Sequence, residues 1–574
     1  MGCPPGLLVL ELRPPGAPPI DVEVSSDPAR GFLPAGDFAL SPLVEVAEYG
    51  DLPAPQRDAI EALAAYLRDG SLELTENNAG TRGPSGREHF RDRAVAEPLP
   101  LLGPLVFFAA LLLAIRRPAT RKERRHEVAV FGFALLFRGV LGIWGPYHIN
   151  GQGPMWIAGV IGEPEILGAY GPGYAEALGT LAILPVPIDF AVFSFLALLS
   201  AGAAFYGLRL ARRLGLRESQ ALAVGGLLAA HPILVRIAST ESYFTLIVFL
   251  SVFIAWAVVE AASHNRRGTA LGYGALALVS TLLALRIHPV AWPATGLALG
   301  LVIAAEVPLR RRAWVGFGLG VGLTVTLLLA GAWLSTVLAS VGRHRGGMGD
   351  PLSPEPVLLG LGAAVLCLVV RRPALFVPVA IALPYAVITR YAYGQSEAWK
   401  ATYDSVFLLF PALAVASLLP TVSPVRGAAI GTAGAGVLLL LLPPTTPTTE
   451  QLEYAVLRRE LPGIDEPCDL AFVHVAGNRR LHLPTYLIQE LRPVRIEGGD
   501  DLLRRLRPEG CTYFLEGSIC SSEEGRPICS EVLSAVETDT LQSYTLPAVP
   551  SYDGLPYDRP RVRLALYRVR TPRR

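Results

Sequence analysis

Long apolar segments separated by short polar ones fill the chain between Leu99 and Leu442. The apolar positions are continuous rather than alternating, which indicates helices rather than strands. A membrane-spanning helix needs roughly 17–25 mostly apolar residues, and twelve segments reach or approach that length. Since several have only 14 to 17 residues, the pattern predicts 11 to 13 spans. The candidate spans are Leu99–Ile115, Val128–Trp144, Phe190–Leu208, Ser219–Val235, Tyr243–Ala262, Ala270–Leu285, Val290–Ala305, Trp314–Leu338, Pro356–Val370, Ala374–Thr389, Val406–Leu419 and Ala428–Leu442.

Composition agrees with this pattern and excludes several classes of protein. Of the 574 residues, 51% are hydrophobic and only 17% are charged, whereas a soluble chain carries about 25% charged residues. A formal charge of +1 provides no basic field for nucleic acid. The sequence therefore excludes a soluble enzyme, a disordered protein and a nucleic-acid binder. It predicts a polytopic α-helical membrane protein with about 12 spans, in contact with membrane lipid.

The distribution of Lys and Arg over the loops predicts the orientation. Cytoplasmic loops carry an excess of these residues. If the loop Arg116–Glu127 is cytoplasmic, the loops on its side hold 18 of them and the opposite loops hold 6. The longest outer loop, Gly145–Asp189, holds none. We therefore expect a multi-pass protein of the cell inner (cytoplasmic) membrane with its C-terminal region outside.

Three regions follow from these boundaries. Residues 1–98 are Pro- and Gly-rich with one amphipathic helix, about Pro55–Arg68, residues 99–442 form the membrane core, and residues 443–574 form a small α/β domain. In that domain CDLAFVHVA, CTYFLEG and VRLALYRV are typical of strands, and LPTYLIQEL and DDLLRRL of helices. The head is expected outside, either because the first span carries it across or because the reading frame begins upstream. If the first segment does not span, the head is cytoplasmic.

Four of the six cysteines lie in the C-terminal region, which agrees with export. An even set in an oxidising compartment suggests two disulfides, with three possible pairings. No CxxC pair or Cys/His spacing indicates zinc. The four residues are Cys468, Cys511, Cys520 and Cys529.

Ionisable residues at the outer membrane boundary are the candidates for chemistry, since placing charge near hydrocarbon is costly. The loop Gly145–Asp189 carries carboxylates and a histidine, and the outer segments that follow it along the chain carry cations. This combination suits a base that activates a hydroxyl while cations hold a lipid phosphate leaving group. The candidate bases are Glu163, Glu165 and His148, and the candidate phosphate-binding residues are Arg236, Arg286 and Lys400, with Arg343 and Arg345 in reserve.

Each assignment has a structural alternative. Arg236 and Arg286 are equally well explained as cations that end their helices at the membrane interface. His148 in a loop is more often a solvated or hydrogen-bonded histidine than a catalyst. Glu163 and Glu165 flank a proline and suit the first turn of a helix.

Several segments resemble, in order, the GT-C superfamily of integral-membrane glycosyltransferases, especially the protein mannosyltransferase and aminoarabinose transferase type that uses polyprenyl-phosphate sugars. Arg138 is followed by an outer loop, as in that family. AYGPGYAEALGTLAIL is similar to the family's "HPPLYYLLLAL" stretch through Tyr170, Pro172 and Tyr174. HPILVRIASTESYF places Glu241 at an acidic position, and LALRIHPVAWP, with His288, resembles a stretch in which a cation precedes Pro. YDSVFLLFPALAVASLL resembles a late span, so the resemblance extends from about Arg138 to Leu419.

The resemblance implies transfer of one sugar, with inversion, from a polyprenyl-phosphate carrier to a lipid, glycan or protein acceptor on the outer face. It implies substrate-binding roles for Glu241, Tyr170, Tyr174 and His288. It also implies an Asp base in the first long outer loop, often helped by a divalent cation such as Mg²⁺ or Mn²⁺. This chain departs from the family there, because Asn150 stands at the expected position. An amide cannot accept the proton, although it can orient the acceptor hydroxyl.

Two other functions fit the same sequence. Twelve spans with membrane-level charges also describe secondary transporters, but those commonly show two related halves and ionisable groups at mid-membrane. We find no repeat between halves, and the charges gather at the outer edge. A catalytically inactive envelope scaffold is the third possibility. It is supported by Asn150, which stands where the family has its catalytic Asp.

Overall fold

A computed structural model gives the fold of the chain. It describes residues 7–12, 20–25, 101–116, 120–143, 153–161, 173–238, 240–288, 291, 408–441, 449–460, 468–473, 492–505, 511–549 and 559–572. The chain divides into two compact units, Met1–Gly83 and Pro84–Arg574, and each is described by itself. The domain boundaries at 98/99 and 442/443 stay predictions.

The first unit contains an antiparallel hairpin that the sequence analysis did not predict. Strand β1 (Leu7–Leu12) pairs with β2 (Ile20–Ser25), and Leu12 lies opposite Ile20. In β2 the sequence IDVEVS alternates β-branched and polar residues, and a Pro- and Gly-rich segment separates the two strands, which is a hairpin signal. The helix predicted at about Pro55–Arg68 lies outside the described residues.

The second unit begins with a set of helices and ends with a mixed sheet. The described helices before the sheet are α1 (Leu102–Arg116), α2 (Arg121–Ile143), α3 (Gly153–Ile161), α4 (Gly173–Leu178), α5 (Ile188–Arg213), α6 (Glu218–Ala230), α7 (Pro232–Ala238), α8 (Tyr243–Ser263), α9 (Arg267–Ile287), α10 (Leu409–Leu418), α11 (Pro424–Leu441) and α12 (Thr449–Glu460). A 3₁₀ turn at Gly179–Ile183 follows α4.

Three described helices, α5, α8 and α9, are long and apolar enough to cross a membrane. They coincide with three of the predicted spans. The prediction of an integral membrane protein with apolar helices is therefore confirmed, whereas the number of spans stays a prediction. Every residue in the apolar stretch of α8 is buried, which makes α8 the centre of the helical part. Four predicted spans between Val290 and Thr389 lie outside the described residues, apart from Ala291.

The predicted single span Ser219–Val235 was wrong in one respect, because the helix is broken. Helices α6 and α7 meet at His231 with a bend of 49°, and the pair counts as one span only when taken together. The cause is Pro232, which has no N–H and disfavours helical geometry in the residue before it.

Ion pairs join α2, α5 and α8 at one end of the helices. We call this end the basic end. Glu127 on α2 bonds both Arg209 (2.8 Å) and Arg212 (2.9 Å) on α5. Arg213 donates to Glu260, close to the end of α8, at 2.8 Å. Helices α5 and α8 therefore run in the same direction, and α9, which follows α8 after a short turn, ends at the opposite end.

Helices α6 and α11 pack through glycine. A Cβ on Gly427 would lie 2.1 Å from the carbonyl oxygen of Ser219, and one on Gly431 would lie 2.1 Å from that of Ala223. These contacts are one turn apart on both helices, so the two helices run in the same direction with their backbones touching. Small residues at such contacts are what close helix packing in a membrane requires.

We expect Gly431→Ala to destabilise the protein by about 1–3 kcal/mol, because the added methyl group overpacks the contact with α6. Thermal melting in detergent measures the effect. Gly434→Ala is the matched control on the same helix, since its Cβ would meet no described atom within 4 Å. A loss of stability in the control as large as in Gly431→Ala would contradict this account of the packing.

The second unit ends in a five-stranded sheet with its helices. The elements of this part are β3 (Asp469–Val473), β4 (Arg492–Ile496), α13 (Gly499–Arg505), β5 (Thr512–Glu516), a 3₁₀ turn (Ser518–Ser521), α14 (Gly525–Ala535), β6 (Val536–Pro547) and β7 (Arg561–Pro572). The strand order is β4-β3-β5-β7-β6. Strands β4, β3 and β5 are parallel, whereas β7 is antiparallel to β5 and to β6.

Both faces of this sheet are covered. Phe514 and Val532 belong to a core formed with α13 and α14, and Leu470 and Leu566 belong to a second core that includes Leu457 of α12. The strands predicted from CDLAFVHVA, CTYFLEG and VRLALYRV are β3, β5 and β7, and the helix predicted from DDLLRRL is α13. The helix predicted from LPTYLIQEL lies outside the described residues.

Two disulfides close this region, as the cysteine count predicted. Cys468 pairs with Cys511, joining the starts of β3 and β5, and Cys520 pairs with Cys529, joining the 3₁₀ turn to α14. The structure thus selects one of the three pairings that the sequence left open.

Helix α12 connects the sheet to the membrane helices. Asp189, fully buried at the start of α5, accepts hydrogen bonds of 2.7 Å from the Tyr454 hydroxyl and from Nε of Arg458. On the sheet side, Glu460 accepts from the Tyr544 hydroxyl at 2.7 Å. Hydrogen bonds from Tyr544 and Arg459 lower the pKa of Glu460, so this carboxylate stays charged at neutral pH. The sheet therefore lies toward the end of α5 that is opposite to the basic end.

Candidate functional site

The predicted site residues that the structure describes lie at the end of the helices opposite to the basic end. They belong to the short helix α4, to the last turn of α7, to the turn between α7 and α8, and to the end of α9. Helix α4 has only six residues, and all of them are buried. It contacts α9 very closely, because a Cβ on Gly173 would lie 2.4 Å from the backbone carbon of Arg286. Only glycine permits this approach, which places the side chains of α4 beside those at the end of α9.

An ion pair joins α4 to α9. Nε and Nη2 of Arg286 donate to the two carboxylate oxygens of Glu176 at 2.8 and 2.5 Å. The Glu176 side chain is fully buried and that of Arg286 is 27% exposed. A bidentate pair of this kind fixes the guanidinium plane. Arg286 was predicted as a phosphate ligand, and the structure adds that it already neutralises a buried carboxylate.

Tyr174 lies on the same short helix and reaches the turn before α8. Its hydroxyl donates to the backbone carbonyl of Glu241 at 2.6 Å, and both residues are completely buried. The turn is tied to its flanking helices, since Thr240 donates to the carbonyl of Ile237 at 2.8 Å and Ser242 caps α8 through the amide of Phe244. Tyr174 and Glu241, which the resemblance placed in two separate segments, are therefore in direct contact.

Aromatic rings fill the space between these polar groups. Trp156 of α3 has its ring 5.0 Å from that of Tyr174 and 5.0 Å from that of Tyr243. His288 stacks on Tyr243 with ring centroids 4.7 Å apart. His288 was predicted to bind substrate, and it lies in this aromatic layer, 7% exposed. Such rings support the position of Tyr174 by packing, as aromatic clusters do in protein cores.

Arg236 is the remaining predicted site residue in the described part of the chain. Arg236 lies in the last turn of α7 and is partly exposed. Glu163 follows the end of α3 by two residues, and Tyr170 precedes α4 by three. The residues outside the described part of the chain are Glu163, Glu165, His148, Asn150, Tyr170, Lys400, Arg343 and Arg345.

Glu176 is the residue whose role the sequence analysis missed. It was one of the acidic residues of the outer loop but was given no role, because its partner is 110 residues away along the chain. The signal was present, since a glutamate within the apolar stretch GYAEAL must find a cation if it is buried.

The divalent cation implied by the family resemblance finds no ligand set in the described part of the chain. Among the described residues, no three of the types His, Cys, Asp and Glu come together in a group that could hold a metal ion. Glu176 is committed to Arg286. We therefore assign no chemical step to a metal.

No protein-family model matches the chain, and no curated protein matches its sequence. Among solved structures, the chain is similar to ArnT from Cupriavidus metallidurans in the apo state, with 13% identity and a TM-score of 0.44, over 76% of this chain and 98% of that one. It is also similar to ArnT from the same organism bound to undecaprenyl phosphate, with 12% identity and a TM-score of 0.37, over 76% and 97%. Both TM-scores are below 0.5, and neither likeness assigns a function to this chain.

Proposed function

We propose that the protein is a membrane glycosyltransferase that moves a sugar from a polyprenyl-phosphate donor to an acceptor on the outer face of the cytoplasmic membrane. The observation that carries the proposal is the bidentate Arg286–Glu176 pair, held beside Tyr174 and Glu241 at the helix ends opposite to the basic end. A buried carboxylate at this depth is costly, and its partner's edge is exposed where an anionic headgroup would meet the protein.

A donor with a long apolar chain and a phosphate headgroup fits this position. The chain would lie in lipid along the helices, and the phosphate would lie at the boundary. Guanidinium groups bind phosphate through paired hydrogen bonds, and the pair with Glu176 fixes the orientation of Arg286. Arg236, in the last turn of α7, is another described cation at this end of the helices, and Lys400, Arg343 and Arg345 are further candidates.

The reaction we propose is a single displacement with inversion. The acceptor oxygen forms a bond to the anomeric carbon, and the bond from that carbon to the phosphate oxygen breaks. The electron pair leaves with polyprenyl phosphate, where Arg286, Arg236 and Lys400 stabilise the charge. A base in the outer loop, Glu163, Glu165 or His148, takes the proton from the acceptor hydroxyl, while Asn150 orients that hydroxyl.

The orientation is part of the proposal. The basic end would face the cytoplasm by the distribution of Lys and Arg. The two disulfides fit an oxidising compartment for the sheet. The acceptor, whether lipid, glycan or protein, would then approach between the sheet and the site.

Release of polyprenyl phosphate tests the proposed function. Purified protein in detergent is incubated with a panel of polyprenyl-phosphate sugars and membrane extract, and the released lipid phosphate is measured by mass spectrometry. We expect Glu163→Gln to lower the rate by about 10²–10⁴, the usual effect of removing a general base.

Glu537→Gln, at an exposed position of β6, is the control and should keep the wild-type rate. Full turnover in Glu163→Gln would move the base to Glu165 or His148. No release from any donor would reject the glycosyltransferase.

One observation favours the transporter as a second candidate. The broken helix α6–α7 is of the kind that carries substrate sites in secondary transporters. In those proteins the freed carbonyls coordinate an ion, whereas here they accept from Arg138. Uptake of solute into proteoliposomes, together with no release of polyprenyl phosphate, would favour the transporter.

A further inference from the structure

The break between α6 and α7 leaves backbone carbonyls of α6 without their usual partners. In a continuous helix the amide of residue 232 would donate to the carbonyl of Leu228, and that of residue 233 to the carbonyl of Ala229. Pro232 has no N–H, and the 49° bend interrupts the helix at this point. A buried carbonyl without a donor is costly, most of all within a membrane.

Arg138 of α2 supplies both missing donors. Nη1 donates to the carbonyl of Ala229 at 2.7 Å, and Nη2 donates to that of Leu228 at 3.1 Å. The guanidinium is 1% exposed, so solvent does not compete for these bonds. The carboxyl-terminal end of a helix carries partial negative charge, which favours the cation at this place.

The same guanidinium also reaches the second half of the broken helix. Nε of Arg138 donates to the Ser200 hydroxyl at 2.7 Å, and that hydroxyl lies 3.4 Å from the carbonyl of Leu234 on α7. Arg138 therefore touches α6 directly and α7 through Ser200. Both halves of the bend are fixed to one rigid group.

Helix α7 leads into the turn that meets Tyr174. The carbonyl of Ile237, at the end of α7, accepts from Thr240 at 2.8 Å and from Thr245 at 2.9 Å. The direction of α7 thus sets the position of the Glu241 carbonyl, which accepts from Tyr174. A change in the bend between α6 and α7 would move the Glu241 turn away from α4, and so away from the pair that Glu176 of α4 forms with Arg286.

We propose that Arg138 is a positioning residue, which holds the bent helix α6–α7 in the direction that brings the Glu241 turn onto Tyr174. This role of Arg138 rests on the proposed function only in the measurement of turnover, and the measurements of melting and amide exchange do not depend on it. A positioning role differs from a merely structural one in what a second mutation can restore. A backbone N–H at position 232 would restore stability, but it would not restore the position of the Glu241 turn.

The experiment compares Arg138→Met, Pro232→Ala and the double variant. Alanine at 232 returns an N–H that can bond the carbonyl of Leu228 and favours a straight helix. We expect Arg138→Met to lower the melting temperature, to lower turnover at least about 10-fold, and to speed amide exchange over residues 240–245 at least about 10-fold, as loss of a charged hydrogen bond would do. In the double variant we expect the melting temperature to recover while turnover and exchange do not.

Arg209→Met is the matched control. Arg209 is equally buried and also donates to backbone carbonyls, those of Leu113 and Ala114, but it lies at the basic end. We expect this variant to lose stability and to leave exchange over residues 240–245 unchanged. If its exchange there rises as much as in Arg138→Met, the effect is general loosening and the proposal is overturned.

Two further results would overturn the proposal. One is full turnover in Arg138→Met with unchanged amide exchange over residues 240–245. The other is a double variant in which turnover and this exchange both return to the wild-type values. If the wild-type protein shows no turnover with any donor, the proposed function fails. The exchange and melting data still decide whether Arg138 fixes the turn.

Discussion

Glu176→Gln is expected to lower the free energy of unfolding by about 3–5 kcal/mol, because it leaves the Arg286 guanidinium beside a buried neutral amide. Thermal or denaturant unfolding in detergent measures this loss. Turnover of the polyprenyl-phosphate donor should fall at least about 100-fold, since the guanidinium loses the partner that fixes its plane. The expected effect is large because the Glu176 side chain is fully buried.

The double variant Glu176→Gln with Arg286→Met separates stability from function. Replacing both members of a buried pair by groups of similar volume is often neutral for stability, so much of the lost unfolding free energy should return. Turnover should stay low, because the phosphate ligand is then absent. A double variant with wild-type turnover would show that the pair only joins α4 to α9.

Glu260→Gln is the control for both variants. Glu260 is also fully buried, and its partner Arg213 is 35% exposed, so the environment matches that of the Glu176 pair. The control lies at the basic end. It should lose stability by a similar amount, while turnover of the donor stays as in the wild type.

Asp189→Asn is expected to free helix α12 from the membrane helices. The variant removes the charge from two hydrogen bonds of 2.7 Å, and hydrogen bonds to a charged group each contribute about 1.5–3 kcal/mol. A loss of about 3 kcal/mol corresponds to roughly 100-fold faster opening. Hydrogen exchange of the amides in Thr449–Glu460 measures it.

Asp539→Asn is the companion control for this experiment. Asp539 pairs with Arg570 across β6 and β7, and both side chains are well exposed. Exposed pairs contribute about 0–1 kcal/mol, so exchange in α12 and in the sheet should hardly change. Unchanged exchange of α12 in Asp189→Asn would mean that other contacts carry the attachment.

What the sequence could predict depends on how far apart the interacting residues are. Helices α5, α8 and α9 follow from local hydropathy and were found where predicted. The bend at His231 was also readable, because Pro232 restricts the residue before it, but an apolar run on both sides concealed it. Strand β6 was missed because its residues are mostly polar and seldom buried, so it lacks the apolar alternation of a half-buried strand.

The sequence predicted several residues of the candidate site, but it did not predict which of them contact one another. Arg286 was singled out from its position at the end of a span, yet the buried carboxylate it binds is 110 residues away. The contact of Tyr174 with the Glu241 carbonyl spans 67 residues and involves the backbone, which leaves no side-chain signal. Arg138 lies within the predicted span Val128–Trp144, and two of its partners are backbone carbonyls on another helix.

The attachment of α12 to Asp189 also sets an order of events during synthesis. Tyr454 follows Asp189 by 265 residues, and ribosomes add about 5–20 residues per second, so the delay is on the order of 10–50 s. Throughout that time the Asp189 carboxylate at the start of α5 lacks the two partners that α12 later supplies. The hydrogen bonds that join α5 to α12 therefore form only after most of the membrane helices have been synthesised.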